Sequence, residues 1–162
     1  MIKHQKGVGL VEVLVALILL SIAVLGFVAL QIRAVTASNE ASMNIQATNI
    51  ARDLAERMRM NRAGLAAYVD NSGTDDCKAA FCNADKMANY DFRQVKSYAT
   101  NLGMNLDILD CQGVNTNFNR KCVYVAWEGT TATNGTGSTN CTNGTAYTPN
   151  AQCIIMEVYN YD

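Results

Sequence analysis

The chain has 162 residues, enough for one domain and an anchor and too few for two ordinary domains. Charge is close to balance, 13 basic residues against 14 acidic, and from Gly64 onward ten acidic residues face six basic ones, so the footprint of a nucleic-acid binder is missing and none is expected to bind. The one histidine is His4, and neither G-x-S-x-G nor a Walker-type motif occurs, which makes an enzyme the weakest hypothesis and leaves no cofactor to expect.

The chain opens with a short basic stretch, Met1 to Lys6, closed by Gly7. From Val8 to Leu30 there are 23 residues with a single charge, Glu12. As a helix this run spans roughly 35 Å, enough for a bilayer core of about 30 Å. A carboxylate at the entrance of such a segment is costly to bury, by roughly 2.5–3.5 kcal/mol at mid-bilayer and less near the interface, so Glu12 needs a partner and is a functional candidate. A cut after Gly7 would place a new amine on Val8, one helical turn from Glu12. A secretory signal peptide fits poorly, because its apolar region is about 7–15 residues long. A plain single-pass anchor explains the length but gives Gly7 and Glu12 no purpose.

Beyond Leu30 no proline occurs before Pro149, and glycine is absent between Gly26 and Gly64, so the helix is expected to continue. Met43, Ala47, Ile50, Leu54 and Met58 step by four, three, four and four, one stripe on a helix that should pack against the head. Arg52, Asp53, Glu56, Arg57, Arg59 and Arg62 lie on other faces and read mostly as a solvated helix end, with arginines suited to the negative end of the dipole. Val8 to about Arg62 would make a rod of roughly 80 Å if unbroken. Gly26 is its expected weak point.

Asn71 to Asp85 reads as a loop. A second helix is expected over Asp85 to Leu102, with Ala88, Phe92, Val95, Ala99 and Leu102 on one face and Gly103 ending it. A strand is expected at Leu106 to Cys111 and a clearer one at Lys121 to Glu128, where Val123, Val125 and Trp127 alternate with Cys122, Tyr124 and Ala126. Cys153 to Tyr159 repeats the alternation, and the two could pair with apolar faces on the long helix. Trp127 reads as core. Gly129 to Asn150, nearly all Gly, Thr, Asn and Ser, reads as an exposed loop unable to bury a core.

All six cysteines, Cys77, Cys82, Cys111, Cys122, Cys141 and Cys153, follow the apolar run, while Lys3 and Lys6 precede it. Basic flanks favour the cytoplasmic side, which puts the cysteines in an oxidising compartment. Six cysteines allow 15 connectivities. Sequential pairing, Cys77 with Cys82, Cys111 with Cys122 and Cys141 with Cys153, is preferred because each pair closes a short loop. A zinc site is the lesser alternative, since no C-x-x-C pair occurs, and no metal is expected.

The start, Lys6-Gly7-Val8-Gly9-Leu10-Val11-Glu12 with the apolar run behind it, resembles the type IV prepilin family. The segment Ala51-Arg52-Asp53-Leu54-Ala55-Glu56-Arg57-Met58-Arg59-Met60-Asn61, with Tyr68 after it, resembles the end of the long helix in minor pilins of the PilV type; the start also resembles the GspI minor pseudopilins of type II secretion. The resemblance implies cleavage by prepilin peptidase between Gly7 and Val8, N-methylation of Val8, and docking of Glu12 on a neighbour's amine in a filament. It implies an α+β pilin-like fold, a long helix on a small antiparallel sheet in a disulfide-stapled head. The implied divisions are a leader 1–7, a transmembrane or filament-core helix 8–30, its amphipathic continuation 31–63, and a periplasmic head 64–162. The implied role is a minor pilin that primes assembly and joins the tip complex, serving adhesion and twitching motility. Implied partners are other minor pilins, the major pilin, a tip adhesin and the inner-membrane assembly platform; the implied location is the inner membrane as a single pass, then the pilus. A minor pseudopilin and a membrane-anchored periplasmic binding protein are the alternatives.

Overall fold

The computed structural model describes residues 9–69, 73–113 and 120–158. Helix α1, Leu10–Met60, runs 51 residues without interruption, as a stretch without proline and with only Gly26 as an interior helix breaker permits. Two compact units divide the chain, one up to Ser42 and the other from Met43.

In the second unit the end of α1 is followed by a 3₁₀ helix, Arg62–Val69, and by α2, Ala84–Asn101. The helical path past Met60 is therefore 3₁₀ rather than more α1. Gly64 explains the close packing: a Cβ there would collide with the carbonyl of Ala84 and lie 2.8 Å from Asn61 Nδ2. Asn83 caps α2, its side chain accepting from Lys86 N at 3.0 Å. The helix closes where Gly103, at φ +75°, lets Met104 N donate back to Ala99 O at 2.9 Å.

Three strands form the main sheet: β1 Asn105–Asp110, β2 Lys121–Ala126 and, after three further short strands, β6 Cys153–Val158. The order is β1-β2-β6 and both pairings are antiparallel, with Leu106 opposite Val125 and Val125 opposite Ile154. Strand β2 stops two residues short of Glu128 because Glu128 and Gly129 both take positive φ, 50° and 82°, and turn the chain. Tyr159 lies outside the described residues.

The helical stripe meets this sheet. Ala47, Ile50, Leu54 and Met58 are buried, Met43 is partly so, and they share one core with Phe92, Val95 and Ala99 of α2 and Val123, Val125 and Trp127. The other sheet face is covered too, which departs from the expectation of an exposed Gly129–Asn150 loop. That segment forms a second sheet, β3 Thr131–Asn134, β4 Asn140–Asn143 and β5 Ala146–Tyr147, ordered β3-β4-β5 with a parallel β3–β4 pair. Ala132 and Cys141 pack on Cys122, Tyr124 and Ala126 in a smaller core.

A polar segment achieves this by bonding to itself. Thr142 Oγ1 donates to Asn134 Oδ1 at 3.0 Å, Gly144 N to the same oxygen at 2.9 Å, and Gln152 N to Thr130 Oγ1 at 2.9 Å. One disulfide staples it, Cys141–Cys153 across to β6; Cys111–Cys122 ties the end of β1 to β2 in the sheet beneath, and Cys77–Cys82 lies between the 3₁₀ helix and α2. Each joins neighbours in the order of cysteines along the chain.

Candidate functional site

Two regions carry the residues that the sequence singles out. The first is the start of α1. Glu12 N and Val13 N both donate to Gly9 O, at 2.9 and 3.3 Å, so the helix begins at Gly9 and Glu12 lies in its first turn. There a carboxylate complements the positive end of the helix dipole, a local reason for its placement beside any functional one. Gly7 and Val8 lie outside the described residues.

Glu12 is the only charge in the described sequence before Arg33. The large apolar side chains around it, from Leu10 to Val35, are each at least 44% exposed, and they point all round the helix. A helix apolar on every face is stable when lipid or other protein surrounds it. Its most apolar 18-residue window has a mean hydropathy of 3.1 and is unburied, and by length and composition it is able to cross a membrane. α1 continues through Gly26 as helix, with open space where a Cβ would stand.

The second region gathers the charged signature at the end of α1. Arg57 reads from sequence as part of a solvated helix end, yet its Nη1 donates to Asp91 Oδ1 of α2 at 2.8 Å and its Nε to Asp53 Oδ1 at 3.1 Å. Tyr68, with no exposed surface, donates its hydroxyl to the other Asp91 oxygen at 3.2 Å. Asn61 reaches the same phenol and also donates to Ala84 O at 2.7 Å. One carboxylate thus joins α1, the 3₁₀ helix and α2. Arg59 and Glu56 make a surface pair at 2.8 Å, which fits the solvated reading for those two.

Burial pushes the Tyr68 phenol well above its usual range; the bond with Asn61 works against this and the Asp91 carboxylate adds to it. For Arg57 burial favours loss of the charge, but the bonds to Asp53 and Asp91 outweigh it and the guanidinium is held more firmly protonated. The apolar periodicity of α2 does not by itself single out Asp91. Its signal was present, since it stands three residues after Ala88 and four before Val95, an acid on the apolar face of α2. Among the described residues no three His, Cys, Asp or Glu side chains gather in a metal-holding group. The arrangement is that of a structural joint, with both Asp91 oxygens taken up by Arg57 and Tyr68.

Comparison with protein families gives two adjoining matches. Residues 2–28 match the model of the prokaryotic N-terminal methylation motif, and residues 29–93 match the Tt1218-like model, described as type IV pilin Tt1218. No curated protein and no solved structure matches the chain. The second match contains every member of the joint, from Asp53 to Asp91, and stops before the sheets.

Proposed function

We propose that the chain is a type IV pilin, as the two adjoining matches over residues 2–28 and 29–93 support, and within that family a minor pilin of the PilV type, cut by prepilin peptidase between Gly7 and Val8 and methylated on the Val8 amine. The divisions of the proposal are a leader 1–7, a filament-core helix 8–30, its continuation 31–63 and a periplasmic head 64–162. Its work is association rather than catalysis.

The observation that carries the proposal is the helix behind Gly9, apolar on all sides, with Glu12 alone breaking its neutrality. In a filament these faces lose water to neighbouring helices, and an unpaired carboxylate there is strongly destabilised. Pairing Glu12 with the terminal amine of an adjacent subunit neutralises both charges and sets the axial register. The three disulfides suit an oxidising compartment, which supports a single pass in the inner membrane with the head in the periplasm before assembly. The signature Ala51 to Asn61 with Tyr68 supports the PilV assignment, and with it a place in the complex that primes assembly and ends at the tip beside other minor pilins, the major pilin and an adhesin.

Two measurements test this. Mass spectrometry of the chain from native membranes should find a methylated Val8 as first residue; a chain beginning at Met1 would remove the processing step. Glu12→Ala should be cleaved normally yet fall at least tenfold in sheared pili, and normal recovery would refute the docking role.

A further inference from the structure

The sequence contains two Asn-Gly pairs, Asn134-Gly135 and Asn143-Gly144, and each stands at the end of a strand of the second sheet, β3 or β4. Asn-Gly is the dipeptide most prone to deamidation, because glycine has no Cβ to shield its nitrogen. That nitrogen gives up its proton and attacks the Asn Cγ; the N–Cγ bond forms as ammonia leaves, and water opens the resulting succinimide to aspartate or isoaspartate. The amide becomes a carboxylate, and in isoaspartate the backbone gains a methylene.

Both nitrogens that would attack are held. Gly135 N donates to a backbone partner, Thr142 O, at 2.9 Å. Gly144 N is held by a side chain instead: it donates to Asn134 Oδ1 at 2.9 Å, and Thr142 Oγ1 donates to the same oxygen at 3.0 Å. A nitrogen whose proton is shared with an acceptor releases that proton less readily and is not free to turn towards Cγ. The amide of one Asn-Gly pair thus restrains the nucleophile of the other.

The second pair depends on that restraint. Asn143 and Gly144 are both exposed, so water reaches them. Gly144 opens the two-residue turn between Asn143 and Ala146, which pair across β4 and β5, and takes φ +62°. Such a turn favours glycine, and a slower-reacting residue there would be strained. The reactive dipeptide stays because the turn needs it.

We propose that Asn143 is a deamidation site gated by Asn134: while β3 lies against β4 the Asn134 carbonyl keeps Gly144 N from reacting, and when the two part Asn143 converts to aspartate or isoaspartate. Asn134 and Thr142 are register partners, and the residue before Thr142, Cys141, is tied to Cys153, so the disulfide holds the gate shut. Isoaspartate lengthens the chain inside a turn of two residues, so an opening leaves a permanent mark on the head. The gate belongs to the head alone and does not depend on the docking role of Glu12.

The test incubates the full chain, disulfides intact, in mild detergent at mildly alkaline pH and follows Asn143 by peptide mass spectrometry. Conversion should be about tenfold or more slower than in the same chain unfolded by denaturant. Asn134→Ala should speed it about fivefold in the folded head, the scale of one hydrogen bond lost. Asn134→Asp, whose carboxylate still accepts from Gly144 N, should keep the wild-type rate. Amide exchange in Asn134→Ala should rise at Gly144 and not across β4, where a general loosening would raise it throughout. Should Asn134→Ala fail to fold, the wild-type ratio and Asn134→Asp decide. Wild-type conversion as fast as in the unfolded chain, a folded Asn134→Ala no faster than wild type, Asn134→Asp well above wild type, or exchange raised throughout β4 would each overturn the proposal.

Discussion

Replacing Asp91 by alanine removes the carboxylate that joins three helical elements, and the cost follows from what each partner loses. Asp91 is 8% exposed and accepts from Arg57 and from Tyr68. The Tyr68 hydroxyl is buried, so the loss of its charged acceptor costs about 1.5–3 kcal/mol. Arg57 is different. Its side chain is 38% exposed and it keeps Asp53 at 3.1 Å, so water and the second carboxylate replace much of what is lost, and this arm adds about 0–1 kcal/mol. The sum is about 1.5–4 kcal/mol. Asp91→Asn keeps one acceptor oxygen, for Arg57, and its amide nitrogen can donate to the Tyr68 hydroxyl in place of the second oxygen, so it should cost about half as much. The assay is a denaturant titration of the mature chain in mild detergent, read by the single tryptophan, Trp127, which is 1% exposed in the core. The midpoint should fall with an unchanged slope. A loss under about 0.5 kcal/mol for Asp91→Ala would refute the view that this carboxylate is the joint of the head.

Gly64→Ala should destabilise the head by about 1–3 kcal/mol, because the new methyl meets the Ala84 carbonyl, which α2 holds in place; the same titration measures it. For Tyr68 the folded state holds its proton more tightly than the unfolded state, whose phenol ionises near pH 10. Its contribution is complete below about pH 10 and is lost as pH rises above it, so stability should fall there in wild type and fall less in Tyr68→Phe. Removing Cys141–Cys153 by paired serine substitutions should cost about 2–4 kcal/mol and speed amide exchange in β4, because the staple holds a segment with little apolar burial. The same change at Cys77–Cys82, which closes a loop of sequence separation 5, should cost less.

The parts of the fold whose physics is local are legible along the chain. The unbroken α1, the stripe from Met43 to Met58, the face of α2 and the alternation in β2 and β6 are periodicities along the chain, and a side chain's direction in a helix or strand follows from its position alone. The apolar run with Glu12 near its start is likewise legible without a fold, because a span that no water-soluble surface tolerates announces its surroundings. The rest depends on partners distant in the chain. Arg57 looks solvated until α2 presents Asp91 34 residues later, and Gly64 is an ordinary glycine until Ala84 is packed against it. Gly129 to Asn150 has the composition of a loop, but an exposed loop and a hydrogen-bonded sheet share that composition. The difference is made by Cys153, which ties Cys141 down, and by Tyr124 and Ala126, whose outward face needs a cover. Composition reports how much a segment gains from burial; closure across the chain decides whether its polar groups can be satisfied once it is buried.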